Sequence, residues 1–195
     1  KGVIKPSNIF DAGRKRYRVL DSNGKTICYA IPFANTPESI MKQYYDKKVV
    51  FISSRVHPGE VGASHMFNGF LDVLMDQKSP HSRSLLKNFV FKIVPAMNPD
   101  GIYRGYYRLD TLGQNLNRHY LDPSPIMQPT TLSVKKILNQ ISEADNLYMY
   151  VDFHAHASKK GMFMFGNCLK GEQQTDNILL ARLMSLNCLN FDITE

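Results

Sequence analysis

The sequence predicts an α/β domain. Apolar runs of strand length alternate with segments of helical periodicity, and polar residues gather where the strands end. Such a domain has a largely parallel or mixed sheet, with functional residues in loops beyond the strands' carboxyl ends. Arg16-Tyr17-Arg18-Val19-Leu20 and residues 26–31 flank Ser22-Asn23-Gly24, and an Asn-Gly pair accepts the positive φ angles of a tight hairpin turn. Val49-Val50-Phe51-Ile52-Ser53 is a run suited to a buried strand. Ala63, Met66, Phe67, Phe70, Leu71 and Leu74 then recur at the spacing of one helix face. Residues 89–94 return to strand, stopped by Pro95 and the turn-like Asn98-Pro99-Asp100-Gly101. A helix is predicted over residues 134–141, a buried strand over 148–153 and a further helix over 176–190.

The 195 residues, 43% hydrophobic and 21% charged, suit one domain with a real core. No apolar run approaches the roughly 18 uncharged residues of a membrane helix, so no membrane partner is expected. The first six residues lack the apolar stretch of a secretory signal, and a chain opening on Lys1 reads as excised from a longer protein. Cys28, Cys168 and Cys188 are an odd set without a C-x-x-C pair, and they read as reduced thiols of a cytosolic protein. Of the net charge of +7, residues 1–60 carry +6, including Gly13-Arg14-Lys15-Arg16-Tyr17-Arg18. That balance suits an anionic partner, and better still a solvated hairpin face. Nucleic acid is the weaker choice, because no aromatic-basic stacking motif accompanies the charge.

Two polar clusters carry the chemistry. In Ser53-Ser54-Arg55-Val56-His57-Pro58-Gly59-Glu60, the Pro-Gly bend lets His57 and Glu60 converge. An imidazole nitrogen and a carboxylate are ordinary zinc ligands at about 2.0–2.2 Å. In Asp152-Phe153-His154-Ala155-His156-Ala157, a histidine directly follows a strand. If the two strands are neighbours, His154 supplies a third ligand and leaves the fourth position to water, a catalytic arrangement. His156 competes with His154, which is favoured because it follows the strand at once. Between the clusters lie Arg108 and the pair Asn117-Arg118. An exopeptidase acting at a C-terminus must hold a free carboxylate and stabilise an oxyanion, and guanidinium groups suit both tasks.

The order His-x-x-Glu, Asn-Pro-Asp-Gly, Arg, Asn-Arg, His resembles the zinc metallocarboxypeptidase family typified by carboxypeptidase A. His57-Pro58-Gly59-Glu60, Asn98-Pro99-Asp100-Gly101 and residues 153–160 are similar to the cytosolic carboxypeptidases that deglutamylate tubulin. Residues 53–60 and Asn115-Leu116-Asn117-Arg118 lean further, towards the cytosolic carboxypeptidase-like branch-point deglutamylases. The resemblance implies an α/β/α sandwich around a mixed sheet, one zinc ion on His57, Glu60 and His154, and Arg108 at the oxyanion, with Arg104 a weaker candidate. It implies a terminal-carboxylate clamp of Asn117 and Arg118. Asn115 stands where many relatives have an aspartate that orients the first zinc histidine. The implied substrates are acidic protein tails such as glutamylated tubulin. The implied place is the cytoplasm, with microtubule or nuclear association.

The same resemblance calls for a general-base glutamate well beyond the second zinc histidine. After His154 there are only Glu172 and Glu195, neither in matching context. Residues 1–195 therefore read as the N-terminal part of a catalytic domain, lacking the preceding β domain and the C-terminal part, and inactive alone. Two other readings stay open: a binding module that recognises acidic tails without cutting them, and a zinc deacylase of the aspartoacylase type. Lys159 and Lys160 are candidates for holding a glutamate side chain, or an exposed loop pair.

Overall fold

In the computed structural model, residues 47–194 are described together with three strands nearer the N-terminus: β1 (Phe10–Asp11), β2 (Arg16–Leu20) and β3 (Thr26–Ala30). These form an antiparallel sheet in the order β1-β2-β3, with Val19 opposite Cys28 and Arg18 opposite Tyr29. The predicted hairpin is thus present as the β2–β3 pair. Its Asn-Gly turn lies outside the described residues. By its contacts the chain falls into two units, residues 1–153 and residues 154–195.

The first unit holds a second sheet of three strands, β4 (Lys48–Ser54), β5 (Phe89–Val94) and β6 (Leu147–Phe153), in the order β5-β4-β6. Both pairings are parallel, and Ser53 stands opposite Val94 on one side and Asp152 on the other. β4 is central and buried from Val49 onward, which is why its sequence is almost uninterruptedly apolar. The expectation that β6 is also buried is corrected. Tyr148 is 63% and Tyr150 37% exposed, because among the described residues β6 pairs with β4 alone and presents alternate residues outward.

Parallel strands need crossovers, and helices supply them. Between β4 and β5 run α1 (Val61–Met75) and α2 (Pro80–Asn88). The helix predicted from residue 63 is α1. The second was not anticipated, although Pro80 at its first turn is a start signal. Asn98-Pro99-Asp100-Gly101, expected as a turn, opens the short helix α3 (Pro99–Arg104) instead. The Asn98 side-chain oxygen accepts the Gly101 N–H at 3.0 Å, and Pro99 fills the first helical position. Helix α4 (Pro129–Glu143) starts five residues before the predicted 134, again on a proline, and leads to β6.

The two faces of β4 face two cores. Val49 and Phe51 pack with Val56, Met97, Leu116, Val134 and Ile141, the last two from α4. Val50 and Ile52 pack with Phe67 of α1, backed by Phe70 and Leu71. Phe51, 1% exposed, stabilises the sheet by about 1.5–3 kcal/mol through its burial alone. In the second unit, Met162 bridges Phe191 and helix α5 spans Gln173–Asn187. Among the described residues no helix is long and apolar enough to cross a membrane.

Candidate metal centre

The site grows from the carboxyl end of β4. Beyond Ser54 the chain is held by the segment leaving β5: Met97 N–H donates to the Ser54 carbonyl at 2.9 Å and Asn98 N–H to that of Arg55 at 3.2 Å. Arg55 takes φ 58, a left-handed backbone that costs a non-glycine residue on the order of 1 kcal/mol or more. Its guanidinium donates to Ser64 Oγ at 2.6 Å and to the Pro58 carbonyl, tying the loop to α1. Nothing in the sequence assigned Arg55 this job, since its partners are fixed by the bend itself.

The far side of the loop is held by the segment after α3. Gly59 N–H donates to the Tyr107 carbonyl at 2.7 Å. A Cβ on Gly59 would sit 2.6 Å from that same oxygen, so only glycine allows the approach. Tyr107 is thereby anchored by its backbone while its side chain stays exposed, and Arg108 is delivered beside the loop.

His57 is 3% exposed and Glu60 is the N-cap residue of α1. The Glu60 carboxylate makes no capping hydrogen bond. Instead it faces His57 Nδ1 at 2.7 Å and Arg108 Nη1 at 3.6 Å. The other imidazole nitrogen, Nε2, lies 3.0 Å from Asn115 Oδ1. That oxygen also accepts the Asn117 backbone N–H at 3.2 Å, which fixes the amide's orientation, because a backbone N–H must meet an acceptor. Nε2 therefore carries the imidazole proton and donates it to Asn115. In a neutral ring Nδ1 is then a lone pair aimed at a carboxylate oxygen 2.7 Å away. A proton or a metal ion between them makes that approach favourable, and a metal ion is the reading that also uses a third donor, His154.

His154 is peptide-bonded to Phe153, the last residue of β6 and the register partner of Ser54. Among the described residues, the groups able to ligate a metal include His57, Glu60 and His154, whose ligand atoms all lie within 4.8 Å of one another. This is the trio the sequence singled out. His156 is placed otherwise: its Nδ1 faces the Ser158 N–H and Oγ at 3.3 and 3.2 Å, and its ring meets Phe163 edge-on.

Asn117 and Arg118 belong to the single 3-10 turn Leu116–Arg118 that follows Asn115. Arg118 is exposed and donates to the Asn117 carbonyl at 3.2 Å. Arg104, the weaker oxyanion candidate, ends α3 in the open. The Lys159 ammonium lies 5.3 and 5.8 Å from the Phe163 and Phe165 ring centroids, a cation–π arrangement. Glu172 stands exposed at the N-cap of α5.

A parallel α/β sheet with an imidazole–carboxylate–imidazole trio near the end of its central strand is a candidate metal centre. The chain belongs to the zinc carboxypeptidase family, whose profile matches residues 22–186. It is 39% identical to cytosolic carboxypeptidase 6 of Mus musculus over 163 residues, covering 82% of this chain and 30% of that protein. It is 30% identical to cytosolic carboxypeptidase-like protein 5 of Homo sapiens over 247 residues, 83% of this chain and 28% of that protein. Among solved structures, a metallo-carboxypeptidase from Burkholderia cenocepacia superposes with a TM-score of 0.68 at 24% identity, covering 91% of this chain and 47% of that one. The fold is thus carboxypeptidase-like, and the chain spans less than a third of the length of these curated relatives.

Proposed function

We propose that this chain carries the zinc-binding part of a metallocarboxypeptidase that removes C-terminal or branch-linked glutamates from acidic protein tails, tubulin among them. The observation that carries the reading is the orientation of His57: its Nε2–H donates a hydrogen bond to Asn115 Oδ1 at 3.0 Å, and Nδ1 faces Glu60 at 2.7 Å. His57, Glu60 and His154 hold the ion. Bound there, zinc supplies Lewis-acid polarisation of a carbonyl and a nucleophile at neutral pH. Arg108, whose guanidinium reaches Glu60 at 3.6 Å, is assigned to stabilise negative charge developing on the substrate. Asn117 and Arg118 hold the substrate's terminal carboxylate, Arg118 through its planar fork. The general base is assigned to no residue of this chain.

The preference for glutamate rests on the resemblance to the cytosolic branch and on the net charge of +7, which favours anionic tails. The curated relatives are named cytosolic carboxypeptidases, and we place this protein in the same compartment. The test uses the full-length protein and two peptides ending in several glutamates, one with a free C-terminus and one amidated. Zinc-dependent release of glutamate from the first alone is expected. Zinc binding with no hydrolysis of either peptide would replace the enzyme by a binding module. Cleavage of N-acetylaspartate in their place would make it a deacylase.

A further inference from the structure

Ser53 is completely buried at the last turn of the sheet before the metal loop, a place where an apolar residue would complete the core. Its hydroxyl donates to Asp152 Oδ1 at 2.6 Å, straight across the β4–β6 pairing. With that proton committed, Ser53 Oγ accepts from the Tyr150 hydroxyl at 3.0 Å. Tyr150 in turn lies 3.5 Å from the Tyr120 hydroxyl, a longer contact. All the donors thus point one way, Tyr120 to Tyr150 to Ser53 to Asp152, and end on a carboxylate, the direction in which such chains reinforce one another. Tyr150 is 37% exposed as a residue, yet desolvation of its hydroxyl and the neighbouring Asp152 hold it above its ordinary range, and desolvation does the same for Tyr120, so both stay protonated donors.

The four residues come from three segments, and each segment carries part of the site. Ser53 is four residues before His57. Asp152 is two before His154. Tyr120 is two after Arg118 and five after Asn115. The β4–β6 ladder runs unbroken from Val50 opposite Met149 to Ser54 opposite Phe153, and its one register shift lies at the far end, between Val49 and Val50. The Ser53–Asp152 bond thus adds a side-chain tie to a backbone pairing already in register. The Ser53 face is also the one that Leu116 and Tyr120 pack against.

We propose that Ser53, Asp152, Tyr150 and Tyr120 form a positioning network that holds the two histidine-bearing strand ends and the Asn115–Arg118 turn in one geometry. Ser53–Asp152 sets the spacing of the ligands, and Tyr150–Tyr120 sets the clamp. These are positioning residues, touching neither ion nor substrate, and the inference rests on the metal site proposed above.

The experiment measures zinc affinity by chelator competition for full-length wild type, Ser53→Ala, Asp152→Asn and Tyr150→Phe, with circular dichroism to confirm folding. Wild type binding no zinc would defeat the metal-site reading itself, separately from this inference. Ser53→Ala is expected to weaken zinc binding about 10-fold or more, the usual effect of losing a group that orients ligands. Asp152→Asn keeps an acceptor for Ser53 and is expected to stay within about 3-fold of wild type, a difference within the reach of one altered hydrogen bond. Tyr150→Phe is expected to leave zinc affinity unchanged and to raise KM for a glutamate-ended peptide with kcat nearly constant. If Ser53→Ala is folded and binds zinc as tightly as wild type, the network does not position the ligands. If Ser53→Ala does not fold, Asp152→Asn decides: a loss of 10-fold or more there would show that the carboxylate acts by charge, contradicting the proposal.

Discussion

His57 and Arg108 both meet the Glu60 carboxylate, yet they belong to opposite kinds of surface. His57 is 3% exposed, bonded through Nε2 to Asn115, and sits in a loop held by the β5 exit, by Arg55 and by Tyr107. The Arg108 side chain is 42% exposed and reaches Glu60 at 3.6 Å, too long and too wet to fix it by the ion pair alone. Arg118 is exposed as well, with one hydrogen bond to its neighbour's carbonyl. On the reading proposed above, the half assigned to the ion is held by the loop's own hydrogen bonds, whereas the guanidinium groups assigned to the substrate stand on anchored backbone with exposed side chains.

The contrast breaks most sharply at His57. In the full-length protein His57→Ala should abolish stoichiometric zinc, measured by inductively coupled plasma analysis after dialysis, because the two remaining ligands cannot hold the ion against buffer. Arg108→Ala should leave zinc content at the wild-type level and lower kcat/KM by about 10²–10³, the loss typical of one oxyanion donor. Loss of zinc in that variant would move Arg108 to the other half of the site. Asn115→Ala should weaken zinc by about 10–100-fold, as for other partners of ligating histidines, while Asn115→Asp should bind at least as tightly as wild type. The smallest effect is expected for Gly59→Ala. Its Cβ meets the Tyr107 carbonyl at 2.6 Å, and overpacking of this kind costs about 1–3 kcal/mol, read as a lowered Tm.

How much of this was legible in the sequence follows the range of the interactions. The α/β alternation, the strands and the His57–Glu60 bend are set by residues within a few positions of one another, and periodicity and Pro-Gly punctuation reveal them. Pairing His57 with His154 needed the further assumption that β4 and β6 are neighbours, which the parallel register bears out. The short helix α3 was hidden by a sequence that serves turns and helix starts equally, Asn98 as N-cap and Pro99 in the first turn. The exposure of Tyr148 depends on which strands flank β6, and no residue of β6 records that. Arg55, and the Gly59–Tyr107 contact across 48 positions, are fixed by the folded loop alone. The apolar residues of α5 make the same point: they read as a helix, and a helix forms, but Leu179, Leu183 and Leu186 are exposed.

The most direct measurement is zinc K-edge X-ray absorption on the purified full-length protein. The account predicts one ion per chain with nitrogen and oxygen neighbours at about 2.0–2.2 Å and the multiple-scattering pattern of two imidazoles. A sulfur shell near about 2.3 Å, or an ion with no imidazole signature, would place the metal elsewhere and contradict it.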